Sequence, residues 1–177
     1  MKKGDNITLS TLRSTVHLGS HADGPNHYSR DAQGVGEMPL RHYIGPCHVI
    51  AVNARPGERI TPADLLTPLT SITHPRVLLK TGTYADPNTF TTDFAALSPE
   101  LVDALAQRGV ITIAVDTPSV DLFSDKQLLA HKMPVRTCQN HNLDIVKFER
   151  MWYALAFPRT DYRRLSSLRL ATQGWSL

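Results

Sequence analysis

The chain has 177 residues, of which 41% are hydrophobic, 20% charged and 7% aromatic. This length and composition predict one globular domain whose core is large enough to need no disulfide or structural metal. Nineteen lysines and arginines against sixteen acidic residues give a net charge of +3. That charge is far short of the concentrated basic face that nucleic-acid binding requires, so we expect no nucleic-acid partner.

The sequence contains no run of about 18 apolar residues, so it predicts no membrane span and no secretion signal, and we expect a cytoplasmic protein. The two cysteines, Cys47 and Cys138, are too few for a disulfide framework and are expected to be reduced. Cys47 is expected to be a small core residue. Eight histidines are present, and five of them fall in the N-terminal third, which favours metal or acid–base chemistry there.

Apolar and β-branched residues predict strands over 7–16, 47–54, 76–80, 110–116 and 145–157. Helix start signals occur at Thr61, at Ser98 and at Ser124–Asp125. The second helix is expected to stop at Gly109, and the third to run through His131. Helices that alternate with buried strands predict an α/β fold in a single domain.

The densest chemistry lies in residues 17–27, which read HLGSHADGPNH. In a straight strand His17 and His21 would stand about 13 Å apart, too far to share an ion whose ligand bonds are about 2 Å long. The two glycines and the proline within the run oppose a helix. The remaining conformation is a strand that bends.

A bend at Gly19, followed by a turn at Gly24–Pro25, would bring four potential ligands together. They are His17, His21, Asp23 and His27. This mixed nitrogen and oxygen set is typical of a catalytic zinc or manganese site. The alternative is a group of surface or hydrogen-bonded core histidines without metal, and we favour that interpretation for the isolated His42, His48 and His74.

The same run resembles the signature H-x-G-[TSA]-H-x-D-x-P-x-H of the cyclase family of metal-dependent hydrolases, which includes the bacterial kynurenine formamidases. Later segments are similar to that family as well. They read YIGPCHVI (43–50), RVLLKTGT (76–83), FAALSPE (94–100), VDTPSVD (115–121) and AH (130–131). The resemblance covers nearly the whole chain and implies the swivelling β/β/α fold of that family.

The resemblance also implies one or two divalent ions, with zinc favoured over manganese. His17, His21 and Asp23 would bind the first ion, and Asp23 would bridge to a second ion held by His131 and one later residue. The family usually has a glutamate at that later position, where this chain has His141. His141 is therefore either a second-site ligand or a loop histidine.

The implied reaction is hydrolysis of an aryl amide, with conversion of N-formylkynurenine to kynurenine and formate as the leading activity. His27 is the candidate proton shuttle, or alternatively a further metal ligand. Two other functions stay open, a hydrolase of another aryl or cyclic amide such as isatin, and an inactive metal-binding relative.

Two further expectations concern the edges of the domain. The chain is expected to span one cyclase-family domain over residues 1–177 and to lack the strand that usually comes first in the family. We also expect a homodimer. Basic residues near the C-terminus would lie on a solvated face or at the dimer rim, and these are Arg159, Arg163, Arg164 and Arg169.

Overall fold

A parallel β-sheet organises the protein in the computed structural model, which describes residues 10–17, 19–86, 88–133 and the backbone of 144–147. The strands are β1 (His21–Ala22), β2 (His48–Ala51), β3 (Arg59–Ile60), β4 (Arg76–Lys80), β5 (Ala96–Leu97), β6 (Thr112–Val115) and β7 (Asp144–Lys147). The main sheet has the order β1-β7-β6-β4-β2, and β3 pairs with β5 in a separate two-stranded sheet. All these pairs are parallel except β1 with β7.

The helices cover one face of the main sheet. Helix α1 spans Pro99–Gln107, and α2 begins at residue 129 and is described to residue 133. Short 3-10 turns occupy Pro25–His27, Val35–Glu37, Leu40–His42, Pro62–Asp64 and Leu69–Ser71. Helices around a parallel sheet confirm the predicted α/β class. No helix within the described residues is long and apolar enough to cross a membrane.

The core forms because the two central strands, β4 and β6, are apolar on both faces, as strands covered from both sides tend to be. On one face, side chains of β2, β4 and β6 pack with those of α1, and all are buried. They include Ile50, Val77, Leu79, Ile113, Val115, Leu101, Val102 and Leu105. On the opposite face Leu78 and Ala114 pack against Ala22 and Tyr43. Ala22 thereby ties β1 to the sheet.

Helix α1 follows its predicted signals closely. The Ser98 hydroxyl accepts a hydrogen bond from the Leu101 N–H at 3.1 Å, and Pro99 occupies the first turn, where its missing N–H costs nothing. Gly109 adopts a φ of +78°, a left-handed conformation that ends the helical segment. The predicted strands are likewise confirmed: the one over 76–80 has the expected bounds, and those over 47–54 and 110–116 are shorter than expected.

The predicted strand over 7–16 is wrong in its described part, because residues 10–16 form no strand. Leu12 and Val16 are 78% and 87% exposed. β-Branched residues favour a strand only where the segment pairs with a neighbouring strand and buries one face, and residues 10–16 do neither.

Two predicted helices differ from expectation. At Thr61 only one 3-10 turn forms, because the following residue, Leu65, is extended and makes an antiparallel bridge with Val52. The helix expected from Ser124 begins at residue 129 instead, since Asp125 caps its first turn by accepting from the Leu129 N–H at 3.2 Å.

Cys47 is exposed rather than part of the core, because it lies in the loop before β2. Of the strand predicted over 145–157, only residues 145–147 are described, and they belong to β7. Cys138, His141 and the four C-terminal arginines also lie outside the described residues.

Replacement of Ser98 by alanine is expected to destabilise the protein by about 1 kcal/mol, because the Leu101 N–H loses its capping acceptor at a buried position. Urea unfolding measures the change. Gln107→Ala is the matched control on the same helix, since it removes only an exposed bond to Asp103 and should cost less than about 0.5 kcal/mol. Equal losses in the two variants would contradict the capping argument.

Candidate metal centre

The candidate site lies at the carboxyl edge of the parallel strands. Strand β1 runs antiparallel to β7, and the register sets His21 opposite Lys147, the last residue of β7. His21 is therefore at the end of the sheet where the parallel strands finish. Open α/β sheets bind their ligands in the crevice at this end, because the loops that follow the strands meet there.

Three electron-pair donors converge at this position. His17 Nδ1 lies 2.9 Å from His21 Nε2 and 3.1 Å from Asp23 Oδ1, and His21 Nε2 lies 3.3 Å from the same Asp23 oxygen. We call these three residues the donor triangle. Among the described residues, this is the group of histidines, cysteines and acids whose ligand atoms lie close enough to share an ion.

The local backbone explains the convergence. His21 and Asp23 are two residues apart in an extended segment, so their side chains point to the same side. Gly19 has a φ of +62°, a conformation that L-residues with a side chain disfavour, and it turns the chain so that His17 comes back beside them. The bend predicted from the glycine is confirmed.

Neighbouring acceptors and donors orient the triangle. The Gly19 carbonyl can only accept a hydrogen bond, so the 2.8 Å contact with His21 Nδ1 places a proton on that nitrogen and leaves Nε2 as the donor atom that faces the triangle. The Tyr28 hydroxyl donates to Asp23 Oδ2 at 2.9 Å, which leaves Oδ1 turned toward the two histidines. Such outer contacts commonly fix the orientation of metal ligands.

A divalent ion fits this arrangement. Ligands at about 2.0–2.1 Å from a tetrahedral ion stand about 3.3–3.4 Å from one another, and the sides of the triangle measure 2.9–3.3 Å. Two neutral imidazoles and a carboxylate at such distances repel unless a proton or a cation lies between them. The Asp23 side chain is fully buried, whereas that of His17 is 37% exposed, so the triangle is open on the His17 side.

Two further histidines border the triangle. The His27 ring centroid lies 4.5 Å from that of His17 and 5.7 Å from that of His131. His27 ends the 3-10 turn that starts at Pro25, which agrees with the predicted turn. His131 is distant in sequence and arrives on the first turn of α2.

Asp121, for which the sequence predicted no role, holds His131 in place. Asp121 Oδ2 accepts from His131 Nδ1 at 2.7 Å and from the His131 N–H at 2.9 Å. Burial raises the pKa of the Asp121 carboxyl, but hydrogen bonds from His131, from the Ala130 N–H and from Arg59 outweigh burial and hold that pKa well below its usual range. The carboxylate is therefore ionised and can only accept, so His131 Nδ1 carries a proton.

Tyr28 was missed as well. It directly follows the histidine run, but no spacing rule identifies a hydroxyl as the partner of Asp23. Asp121 could have been suspected, because it ends the VDTPSVD segment nine and ten residues before Ala130 and His131.

His42, His48 and His74 lie outside the triangle, as expected, and His48 and His74 stack on each other with centroids 4.5 Å apart.

Comparison with known proteins agrees with this geometry. Residues 4–122 match the family model described as "Putative cyclase". The chain belongs to the cyclase family. This cyclase-family protein is 37% identical over 163 residues to a kynurenine formamidase from Bordetella petrii, and the match covers 88% of this chain and 77% of the relative.

Two solved structures share the fold of this cyclase-family protein. One is described as a potential metal-dependent hydrolase with cyclase activity, with 21% identity, a TM-score of 0.64 and coverage of 76% of this chain and 63% of that one. The other is isatin hydrolase A from Labrenzia aggregata bound to benzyl benzoate, with 20% identity, a TM-score of 0.56 and coverage of 74% and 59%. The chain thus spans less than two thirds of the length of either structure.

Replacement of Gly19 by alanine is expected to weaken Zn²⁺ binding by about tenfold, because a positive φ costs a residue with a Cβ about 1–2 kcal/mol. Isothermal titration calorimetry measures the affinity. Gly36→Ala is the matched control, since a Cβ at either glycine meets nothing within 4 Å but only Gly19 has a positive φ. Unchanged affinity in Gly19→Ala would show that the bend does not depend on this glycine.

Proposed function

We propose that this protein hydrolyses the N-formyl amide of an aryl amine, with N-formylkynurenine as the leading substrate and kynurenine and formate as products. The donor triangle, with His27 and His131 beside it, is the observation that carries the proposal. The identity with a kynurenine formamidase over most of the chain supports the choice of substrate.

The proposed ligands of the first divalent ion are His17, His21 and Asp23, and Zn²⁺ is the favoured metal for this nitrogen and oxygen set. A second ion would be held by Asp23, His131 and His141, the last of which lies outside the described residues. One or two ions per chain are compatible with this set. A bound ion would supply Lewis acidity, which polarises an amide carbonyl. It would also lower the pKa of water, so that a nucleophile is available near neutral pH.

His27 is proposed to transfer the proton of the reaction. As the water oxygen attacks the formyl carbon, the imidazole accepts a proton, and it returns that proton to the amine nitrogen when the carbon–nitrogen bond breaks. Its exposed position supports this role, because the ring can reach both the triangle and an incoming substrate. The competing role is that of an additional metal ligand.

Tyr28 is proposed to hold the Asp23 carboxylate in the orientation that directs Oδ1 toward the ion. Its hydrogen bond occupies Oδ2 and lies in a part-buried position, so the carboxylate cannot rotate freely between its two oxygens. The Tyr28 ring also stands 5.0 Å from that of His27 and 5.7 Å from that of His131. It therefore lies beside both the proton-transfer residue and the proposed second-site ligand.

His27→Ala is expected to keep Zn²⁺ and to lower the turnover rate by about 10²–10⁴-fold, the usual contribution of a positioned acid–base group. His21→Ala is the comparison variant, because a lost ligand should remove metal and activity together. Metal content by elemental analysis and formate release are measured on the same samples. If His27→Ala loses metal in proportion to activity, His27 is a ligand instead.

The substrate is tested by assaying Zn²⁺-reconstituted protein against N-formylkynurenine and isatin, with formate release and ring opening as the readouts. We expect a clear preference for N-formylkynurenine. Ring opening of isatin without formate release would assign the protein to the alternative amide hydrolases. Metal-loaded protein without activity on either compound would indicate the inactive relative.

Other expectations from the sequence stay predictions. They are a single domain over residues 1–177, a homodimer, and a cytoplasmic location. Light scattering of the purified protein and fractionation of the source cells would test the last two.

A further inference from the structure

We propose that Asp121, braced by Arg59, is a positioning residue that fixes the tautomer and direction of the His131 ring, so that Nε2 is the nitrogen offered to the site. The inference rests on the proposed function only because that proposal makes His131 a ligand of the second ion. The hydrogen bonds around Asp121 carry the argument.

One oxygen of the Asp121 carboxylate accepts two hydrogen bonds from His131. Asp121 Oδ2 accepts from the ring Nδ1 at 2.7 Å and from the backbone N–H of the same residue at 2.9 Å. One bond alone would let the ring swing about its side-chain torsions. The two bonds together fix the ring relative to the backbone, within the first turn of α2.

The other oxygen is occupied as well. Asp121 Oδ1 accepts from Arg59 Nη2 at 2.8 Å and from the Ala130 N–H at 2.9 Å. Each oxygen therefore accepts from two donors, and Asp121 is 1% exposed. Both oxygens are engaged by the protein, so Asp121 is not expected to bind an ion itself. It supports the site from behind His131.

Arg59 anchors the carboxylate to the rest of the fold. Its guanidinium also donates to the Leu97 carbonyl and to Asp125 Oδ2. Arg59 and Leu97 belong to the small sheet formed by β3 and β5, whereas Asp125 caps α2. The arginine thus links this sheet to the start of the helix that carries His131, and its charge balances one of the two carboxylates.

The chemical consequence concerns the proton on the imidazole. A carboxylate that only accepts requires a proton on His131 Nδ1, which leaves the lone pair of neutral imidazole on Nε2. An asparagine of the same shape can instead donate to Nδ1, and then Nε2 carries the proton and cannot bind a cation. Replacement of a buried histidine-orienting aspartate by asparagine inverts the tautomer in this way in serine proteases.

The wild-type protein tests the inference without metal or substrate. Long-range proton–nitrogen NMR of the chelator-treated protein, at a pH where the imidazole is neutral, reports which ring nitrogen of His131 is protonated. We expect the Nδ1–H form. Observation of the Nε2–H form, or of a mixture of the two, would overturn the proposal, and this measurement holds even if the variants fail to fold.

Two matched variants test the effect on binding. Asp121→Asn should convert His131 to the Nε2–H form and weaken His131-dependent Zn²⁺ binding by about 10–100-fold, the usual effect of removing an outer partner of a ligand. Asp125→Asn removes a carboxylate from the same arginine without touching His131, and should change that affinity less than about threefold. Equal losses in both variants would overturn the proposal.

His131→Ala separates this inference from the proposed function. It identifies the Zn²⁺-binding step that depends on His131 in calorimetric titrations. If it binds Zn²⁺ as the wild-type protein does, the proposed second ion is wrong, whereas the NMR result still decides whether Asp121 sets the tautomer.

Discussion

The pairing of β1 with β7 is the constraint on which the candidate site depends. Only two residues of β1 pair, yet their register sets His21 beside the last residue of β7 and so at the carboxyl edge of the parallel sheet. The loops after the parallel strands meet at this edge, so a residue far along the chain, His131, lies near the histidine run. Without that pairing the run would be an exposed loop.

The site combines two levels of control. Backbone geometry at Gly19 brings His17 back toward His21 and Asp23, and single hydrogen bonds then orient each donor. His21 Nδ1 donates to the Gly19 carbonyl, whereas His131 Nδ1 donates to the buried Asp121 carboxylate. A carbonyl and a carboxylate both force a proton onto Nδ1, but only the carboxylate adds a negative charge behind the ring. The two histidines therefore differ in the charge that lies behind the ring, although both offer Nε2.

Behind His131, one arginine balances the charge of one of two carboxylates. Arg59 meets Asp121 and Asp125, and all three are largely removed from solvent. A buried carboxylate without such partners would tend to take up a proton, and the neutral acid could then donate to the imidazole as well as accept from it. The same contacts tie the small sheet to the start of α2.

The amino-acid sequence by itself determined the elements whose signals are local. The cap at Ser98, the stop at Gly109, the apolar strands β4 and β6 and the bend at Gly19 each follow from residues within a few positions of one another. The convergence of the histidine run could be predicted for the same reason, since its glycines and proline oppose a helix and its spacing requires a bent strand. The strand expected over 7–16, in its described part, and the helix expected at Thr61 failed because propensity alone does not show whether a segment will pair with a neighbouring strand or bridge.

Only the tertiary structure decided which distant residues complete the site. Tyr28 reaches Asp23, and Asp121 reaches Arg59 across 62 positions of sequence, through contacts that depend on how the sheets and α2 pack. A hydroxyl or a carboxylate acquires such a role from the atoms that surround it. Residue type and spacing alone therefore identify the donors proposed to bind an ion, but not the groups that orient them.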